Sequence, residues 1–159
     1  MTSLEQGVGN LLREKGLTLG MVESATGGLL SHLITNIPGS SDYYQGSITA
    51  YSNEIKIKVV GVSEETIKKY GAVSHEVAQE MARGGRRVLA TDICLADTGI
   101  AGPSGASPEK PAGLFYLGLS CKSGTESQQH TFSRDRAQNK LAAARAALAW
   151  LKEYLLSLR

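Results

Sequence analysis

The chain has 159 residues, 42% of them hydrophobic and 20% charged, with a formal net charge of +2. That length fits one domain over residues 1–159 with one core, able to bury roughly 70% of the surface its unfolded form exposes. Lys and Arg are interspersed with Asp and Glu, so no basic stripe suited to many nucleic-acid phosphates is present and a nucleic-acid partner is not expected.

Leu4, Val8, Leu11 and Leu12 recur at helical spacing, and Gly16 stops that first helix. Leu17–Val22 reads as a strand entering Ser24-Ala25-Thr26-Gly27-Gly28, and Leu29, Leu30, Leu33, Ile34 and Ile37 form the next helix, ended by Pro38-Gly39-Ser40-Ser41. A second strand is predicted near Gly46–Tyr51, and Asn53 reads as the cap of a short helix carrying Ile55, Lys56 and Val59. Ser63-Glu64-Glu65 starts another helix, and Ser74 caps a longer one with Val77, Met81 and Val88. Gly84-Gly85 inside it either weakens that helix or marks close packing against a neighbour. Ile93–Ala96 is a third strand, followed by a Gly/Pro loop from Gly99 to Pro111, then strands near Leu114–Cys121 and Gln128–Phe132 about a turn at Lys122-Ser123-Gly124. The last helix carries Leu141, Ala144, Leu148, Leu151, Leu155 and Leu158 on one face, a stripe suited to a sheet or a partner helix and permitting a homodimer. Arg145, Lys152 and Glu153 interrupt its apolar run, which argues against a membrane span. No basic region followed by an apolar stretch opens the chain, so a cytoplasmic location is expected. Cys94 and Cys121 read as small buried hydrophobes in strands rather than a disulfide framework. This mixed order, with a late hairpin, predicts an α/β fold: a three-layer α/β/α sandwich with a mixed sheet.

Ligands of open α/β sheets gather at the carboxyl ends of the strands. Fold logic would bring three segments there: Ser24–Gly28, Tyr51–Lys56 and Gly99–Gly113. Ser24 reads either as a helix cap or, with Gly27 and Gly28 exposing amides at a helix start, as part of an oxyanion or phosphate site. The segment is neither a Walker A loop nor a G-x-S-x-G elbow. His32, His75 and His130 are poor bases by position, and neither C-x-x-C nor H-E-x-x-H spacing occurs, so no metal site is expected. Lys56, in a first helical turn, is either a solvated lysine or, if desolvated near a positive helix end, a neutral amine able to take a proton. Arg136, after Asp135 at the start of the last helix, is half of an ion pair or an anion clamp.

Taken together, Glu23-Ser-Ala-Thr-Gly-Gly28, Pro38-Gly-Ser-Ser41, Tyr51-Ser-Asn-Glu-Ile-Lys56, Gly71-Ala-Val-Ser74, Thr98-Gly-Ile-Ala-Gly-Pro103, Pro108-Glu-Lys-Pro-Ala-Gly113 and Asp135-Arg136 resemble the CinA C-terminal family in order and spacing over nearly the whole chain. Its members include stand-alone nicotinamide mononucleotide deamidases. The resemblance implies hydrolysis of the carboxamide of that nucleotide to nicotinate mononucleotide and ammonia, with no metal or organic cofactor. It implies Ser24 as nucleophile, Lys56 as base, and Tyr51 and Arg136 in catalysis or substrate contact. Substrate contacts are expected from Thr26, Gly27, Gly28, Ser40, Ser41, Asn53, Gly99 and Gly102, the phosphate lying among helix N-termini and Gly-rich turns. One departure is Ala25 where the family usually has Cys, which excludes a cysteine mechanism at that position. The larger N-terminal domain of full-length members has no counterpart in these residues. The alternative is a non-catalytic nucleotide-binding or interaction module linked to competence or the DNA damage response.

Overall fold

A computed structural model describes residues 1–159. Five strands, β1 (Leu19–Glu23), β2 (Tyr44–Thr49), β3 (Ile93–Gly99), β4 (Leu114–Cys121) and β5 (Gly124–Thr131), form one sheet in the order β2-β1-β3-β4-β5. β1 runs parallel to β2 and β3, whereas β4 is antiparallel to β3 and β5 to β4. The sheet is mixed, as the order of elements predicts. β1 is buried along its whole length, as a strand covered on both faces must be, while β5 alternates exposed and half-buried residues at the edge.

Helices cover both faces. On one, α1 (Leu4–Lys15), α2 (Leu29–Thr35) and α6 (Arg136–Ser157) bury Val8, Leu12, Leu30 and Leu148 with Met21, Leu95 and Leu117 of the sheet. On the other, α5 (His75–Leu89) and a π-helical turn (Lys56–Val60) bury Val77, Met81 and Val60 with Val22, Cys94 and Ala96, and α4 (Glu64–Tyr70) packs Ile67 against them. The result is the three-layer α/β/α sandwich. Gly84 and Gly85 do not break α5. A Cβ on Gly84 would stand 2.1 Å from the Val60 carbonyl, and one on Gly85 2.3 Å from a Val22 methyl. These glycines mark close packing, and they let α5 reach both the π turn and the sheet.

Several boundaries differ from the sequence reading. Ser52, not Asn53, caps the short helix α3 (Asn53–Ile55), its hydroxyl accepting from the Ile55 amide at 3.1 Å. The chain then widens into the π turn at Lys56 instead of continuing as an α-helix. β3 extends three residues past Ala96, carrying Asp97 into the sheet because its carboxylate finds buried donors. The stripe on α6 is consumed internally: Ala144, Leu148, Leu151 and Leu155 are all fully buried in the chain's own core. The homodimer that stripe permits therefore has no support from it. No helix is long and apolar enough to cross a membrane.

The loop from β3 to β4 is pinned at its root. Ile100 and Gly113 bond to each other and to the strands through Gly113 N to Ile100 O at 2.6 Å, Ile100 N to Leu114 O at 2.8 Å and Phe132 N to Gly113 O at 2.9 Å. Gly113 has a left-handed φ of 90°, and a Cβ there would lie 1.8 Å from the Phe132 carbonyl.

Candidate active site

The carboxyl ends of β1, β2 and β3 open into a cleft of about 280 Å³ lined by Ser24, Tyr51, Lys56, Thr98, Gly99 and Arg136, among others. The three segments singled out from the sequence do converge. β1 ends at Glu23, and the next residue, Ser24, lies in the turn that leads into α2. Ser24 is not the cap of α2: that position belongs to Gly28, with a φ of 102°. The Ser24 hydroxyl is thereby free for another partner, and Lys56 Nζ donates to it at 2.9 Å. Lys56 Nζ also donates to the Tyr51 carbonyl at 2.8 Å.

Lys56 is 2% exposed, and no acid lies within ion-pair distance of it. Burial lowers its proton affinity below the ordinary lysine value, and the charge of Asp97 opposes that shift. Desolvation acts against the ammonium, so the amine is poised toward its neutral form. Each π turn widens the helix by one residue, and here it opens at Lys56.

Arg136 ties the cleft together. As the first residue of α6, behind the Asp135 cap that accepts from the Gln138 amide, it donates to the Gly102 carbonyl at 2.9 Å and to the Tyr51 hydroxyl at 3.4 Å. It is not half of an ion pair. Arg136 lines both this cleft and a second, open groove bordered by Thr26, Gly27, Gly28, His32 and Lys140. Asn53 and Gly99 line the first cleft, while Gly102 enters it only through its bond to Arg136.

Two expectations are corrected. Ser40 and Ser41 lie in a 3-10 turn that leads into the start of β2, beside the amino end of β1, where Leu19 pairs with Tyr44. They are at the opposite end of the sheet from the cleft, because a parallel strand separates its two ends. The start of α2 is also not an open anion site. Its Leu30 and Ser31 amides are taken at 2.8 and 3.0 Å by the Glu23 carboxylate, which is fully buried beneath the turn. In the turn itself, Gly27 N bonds to Ser24 O and Thr26 N to Asp97. Thr26 therefore supports the turn from below rather than facing the cleft.

Sequence reasoning missed Asp97, and gave Thr98 only as the first residue of the Thr98–Pro103 segment, with no role of its own. Thr98 lines the cleft, and its hydroxyl donates to the Ala72 carbonyl at 2.7 Å, joining β3 to the Gly71–Ser74 segment. Asp97 is fully buried. The available signal was a charged residue directly following an apolar strand, which folds inside only where donors await it. Ala25 packs with Ala101, Phe115 and Ala143 and also borders the cleft beside Ser24. The histidines are dispersed: His32 is exposed on α2, His75 bonds to Ser127 and His130 to Gln128. Cys94 is buried in β3, where burial pushes its thiol up to about 12, as inert thiols behave.

Comparison with known proteins bears on the family and the fold. The family model described as the CinA C-terminal domain matches residues 1–155. A CinA-like protein of Dictyoglomus thermophilum is 46% identical over 157 residues, covering 99% of this chain. The chain spans 38% of that relative's length. Among solved structures, a CinA superfamily protein from Klebsiella pneumoniae superposes with a TM-score of 0.94 at 31% identity, covering 98% of this chain and 97% of that one. A competence/damage inducible protein from Agrobacterium tumefaciens gives 0.91 at 32% identity, covering 99% of each. A family model over residues 1–155, together with sequence and fold that agree over nearly the full length, makes this chain a member of the CinA C-terminal domain family.

Proposed function

We propose that the chain is an amidohydrolase acting on the carboxamide of nicotinamide mononucleotide, with Ser24 as nucleophile and Lys56 as its base. The observation that carries this reading is the 2.9 Å contact between Lys56 Nζ and Ser24 Oγ, made by a buried lysine without an anionic partner at the mouth of a cleft. A neutral amine held to the Tyr51 carbonyl by one N–H keeps its lone pair for the serine proton.

Ser24 Oγ bonds to the carboxamide carbon as its proton passes to Lys56 Nζ. The charge on the former carbonyl oxygen is met by backbone N–H groups, of which the Ala25 amide stands next to the nucleophile. Lys56 returns the proton to the departing nitrogen, the C–N bond breaks, and ammonia leaves. Water then attacks the serine ester with Lys56 taking its proton, which passes to Ser24 Oγ as nicotinate mononucleotide departs. Arg136, which lines both grooves, suits the phosphate, and the Tyr51 hydroxyl beside it, on a side chain 63% exposed, suits a nearby polar group of the nucleotide.

Ammonia release from nicotinamide mononucleotide by the purified chain tests the reading. Ser24→Ala and Lys56→Met are expected to lose about 10³-fold in kcat, the scale of a lost nucleophile or base, with unchanged circular dichroism. Full release by either variant would falsify the pair. Nucleotide binding by the unaltered chain without ammonia release would instead favour a binding module.

A further inference from the structure

The Ser24 turn rests on two carboxyl groups, Glu23 and Asp97, both fully buried. Thr26 Oγ1 stands between them, within hydrogen-bond reach of Glu23 Oε1 at 2.7 Å and of Asp97 Oδ2. A hydroxyl brings one hydrogen. Three oxygens joined by two hydrogen bonds need two hydrogens, so the second must sit on a carboxyl. The remaining donors decide which one. Glu23 also accepts from the Leu30 and Ser31 amides, two donors that do not depend on where the hydroxyl hydrogen points and that suit an anion. Asp97 accepts at Oδ1 from the Thr26 amide at 3.1 Å, leaving Oδ2 to carry a hydrogen toward Thr26.

The electrostatics agree with that wiring. Burial pushes the Asp97 carboxyl up to about 6, with the Thr26 hydroxyl bond opposing the rise, the charge of Glu23 adding to it, and the Thr26 and Ser24 amides opposing it further. The charged groups acting on this pair come from separate elements: Glu23 from the end of β1 faces Asp97, and Asp97 in turn faces Lys56 from the π turn. Arg136 and Lys140 of α6 reach the same end of the sheet but line the surface grooves. α6 turns its uncharged Asn139 inward, to the Ala101 carbonyl.

We infer that Asp97 is a positioning residue: it holds a proton beneath the Ser24 turn through the Thr26 hydroxyl and, on losing it to solvent, tightens the hold of Lys56 on its own. The inference rests on the Ser24–Lys56 pair of the proposed reaction. With Asp97 neutral, desolvation of Lys56 is unopposed and the amine is a ready base. When Asp97 ionises, its new charge favours the ammonium and weakens that base. No bond other than the carboxyl O–H changes, and the proton exchanges with water.

Asp97→Asn tests this directly. An asparagine amide donates to Thr26 Oγ1 and accepts from the Thr26 amide, so it copies the protonated carboxyl and never ionises. Titration of Lys56 in lysine-labelled protein by NMR is expected to give a lower midpoint in this variant than in the unaltered chain. The acid limb of kcat/KM should move the same way, raising the rate there about tenfold, the effect of one pH unit. A purely structural Asp97 would cost stability and kcat while the Lys56 midpoint stayed in place, and that result overturns the inference. Should the variant not fold, the Asp97 carboxyl carbon of the unaltered chain is followed instead: a midpoint at the ordinary aspartate value also overturns it, and a raised one supports it. A moved Lys56 midpoint with no ammonia release from either protein would sink the proposed reaction and leave this inference standing.

Discussion

A lysine ammonium taken out of water with no carboxylate in contact gives up its proton more easily than one at the surface, while a buried carboxyl keeps its proton longer. Lys56 and Asp97 are such groups, and their effects on stability run in opposite directions. Lys56 binds its proton less well folded than unfolded, so it favours folding increasingly as pH rises from its lowered value toward 10.5. Asp97 binds its proton better folded than unfolded. Its contribution is complete below 3.8 and is lost as pH climbs through about 6. Urea unfolding of the unaltered chain and of Asp97→Asn at pH 4 and pH 7 should show the variant gaining on the unaltered chain by about 2 kcal/mol over that interval. A constant difference between the two would leave Asp97 without a shifted titration.

At the scale of elements, the site depends on how closely α5 approaches the π turn. Gly84 meets the Val60 carbonyl, and Val60 closes the same turn that Lys56 opens. Gly84→Ala must push that turn away from α5, at a cost of about 1–3 kcal/mol for overpacking, and it carries Lys56 with it. Thermal unfolding and ammonia release should therefore fall together. Gly85→Ala presses instead on Val22 and Cys94 within the sheet face and is expected to lower stability more than rate. The spacing of apolar residues made the helices and strands legible, since α1, β4 and the long α6 follow simple periods. The π turn was not legible, because Lys56–Val60 has a composition ordinary for a helix and its widening is settled by packing. Asp97 was hidden for a related reason. Its place in β3 depends on donors from Thr26, a residue 71 positions away in sequence.

Across the whole molecule, the parallel half of the sheet sorts function by end. Every segment that lines the cleft follows a carboxyl end of β1, β2 or β3 or lies beside one, and the Pro38–Ser41 motif sits at the other end. Its resemblance to the family was visible in sequence, but its distance from the cleft was not, since motif order says nothing about which end of a strand a turn occupies. Arg13 reaches this turn, donating to the Gly39 carbonyl and to Asp42 at 3.2 Å each. The motif thus serves to join α1 to the entry of β2. Ser41→Ala, at an exposed position, should leave kcat/KM within twofold and stability within about 0.5 kcal/mol, as surface changes do. A large rise in KM for this variant would return the motif to the substrate.

The pinned root of the β3–β4 loop has a practical side. Because Ile100 and Gly113 are fastened to each other and to the end of β5, the chain leaves the sheet and returns to it at one point. Its exposed tip, Pro103–Glu109, is free of strand pairing, yet Ser104 and Gly105 border the cleft. Exposed loop tips of this kind accept inserted sequence well. A peptide tag or a cysteine for a fluorophore, grafted between Ser107 and Glu109, would ride on a fixed base within sight of any bound nucleotide. The loop is a ready-made mount for a ligand sensor.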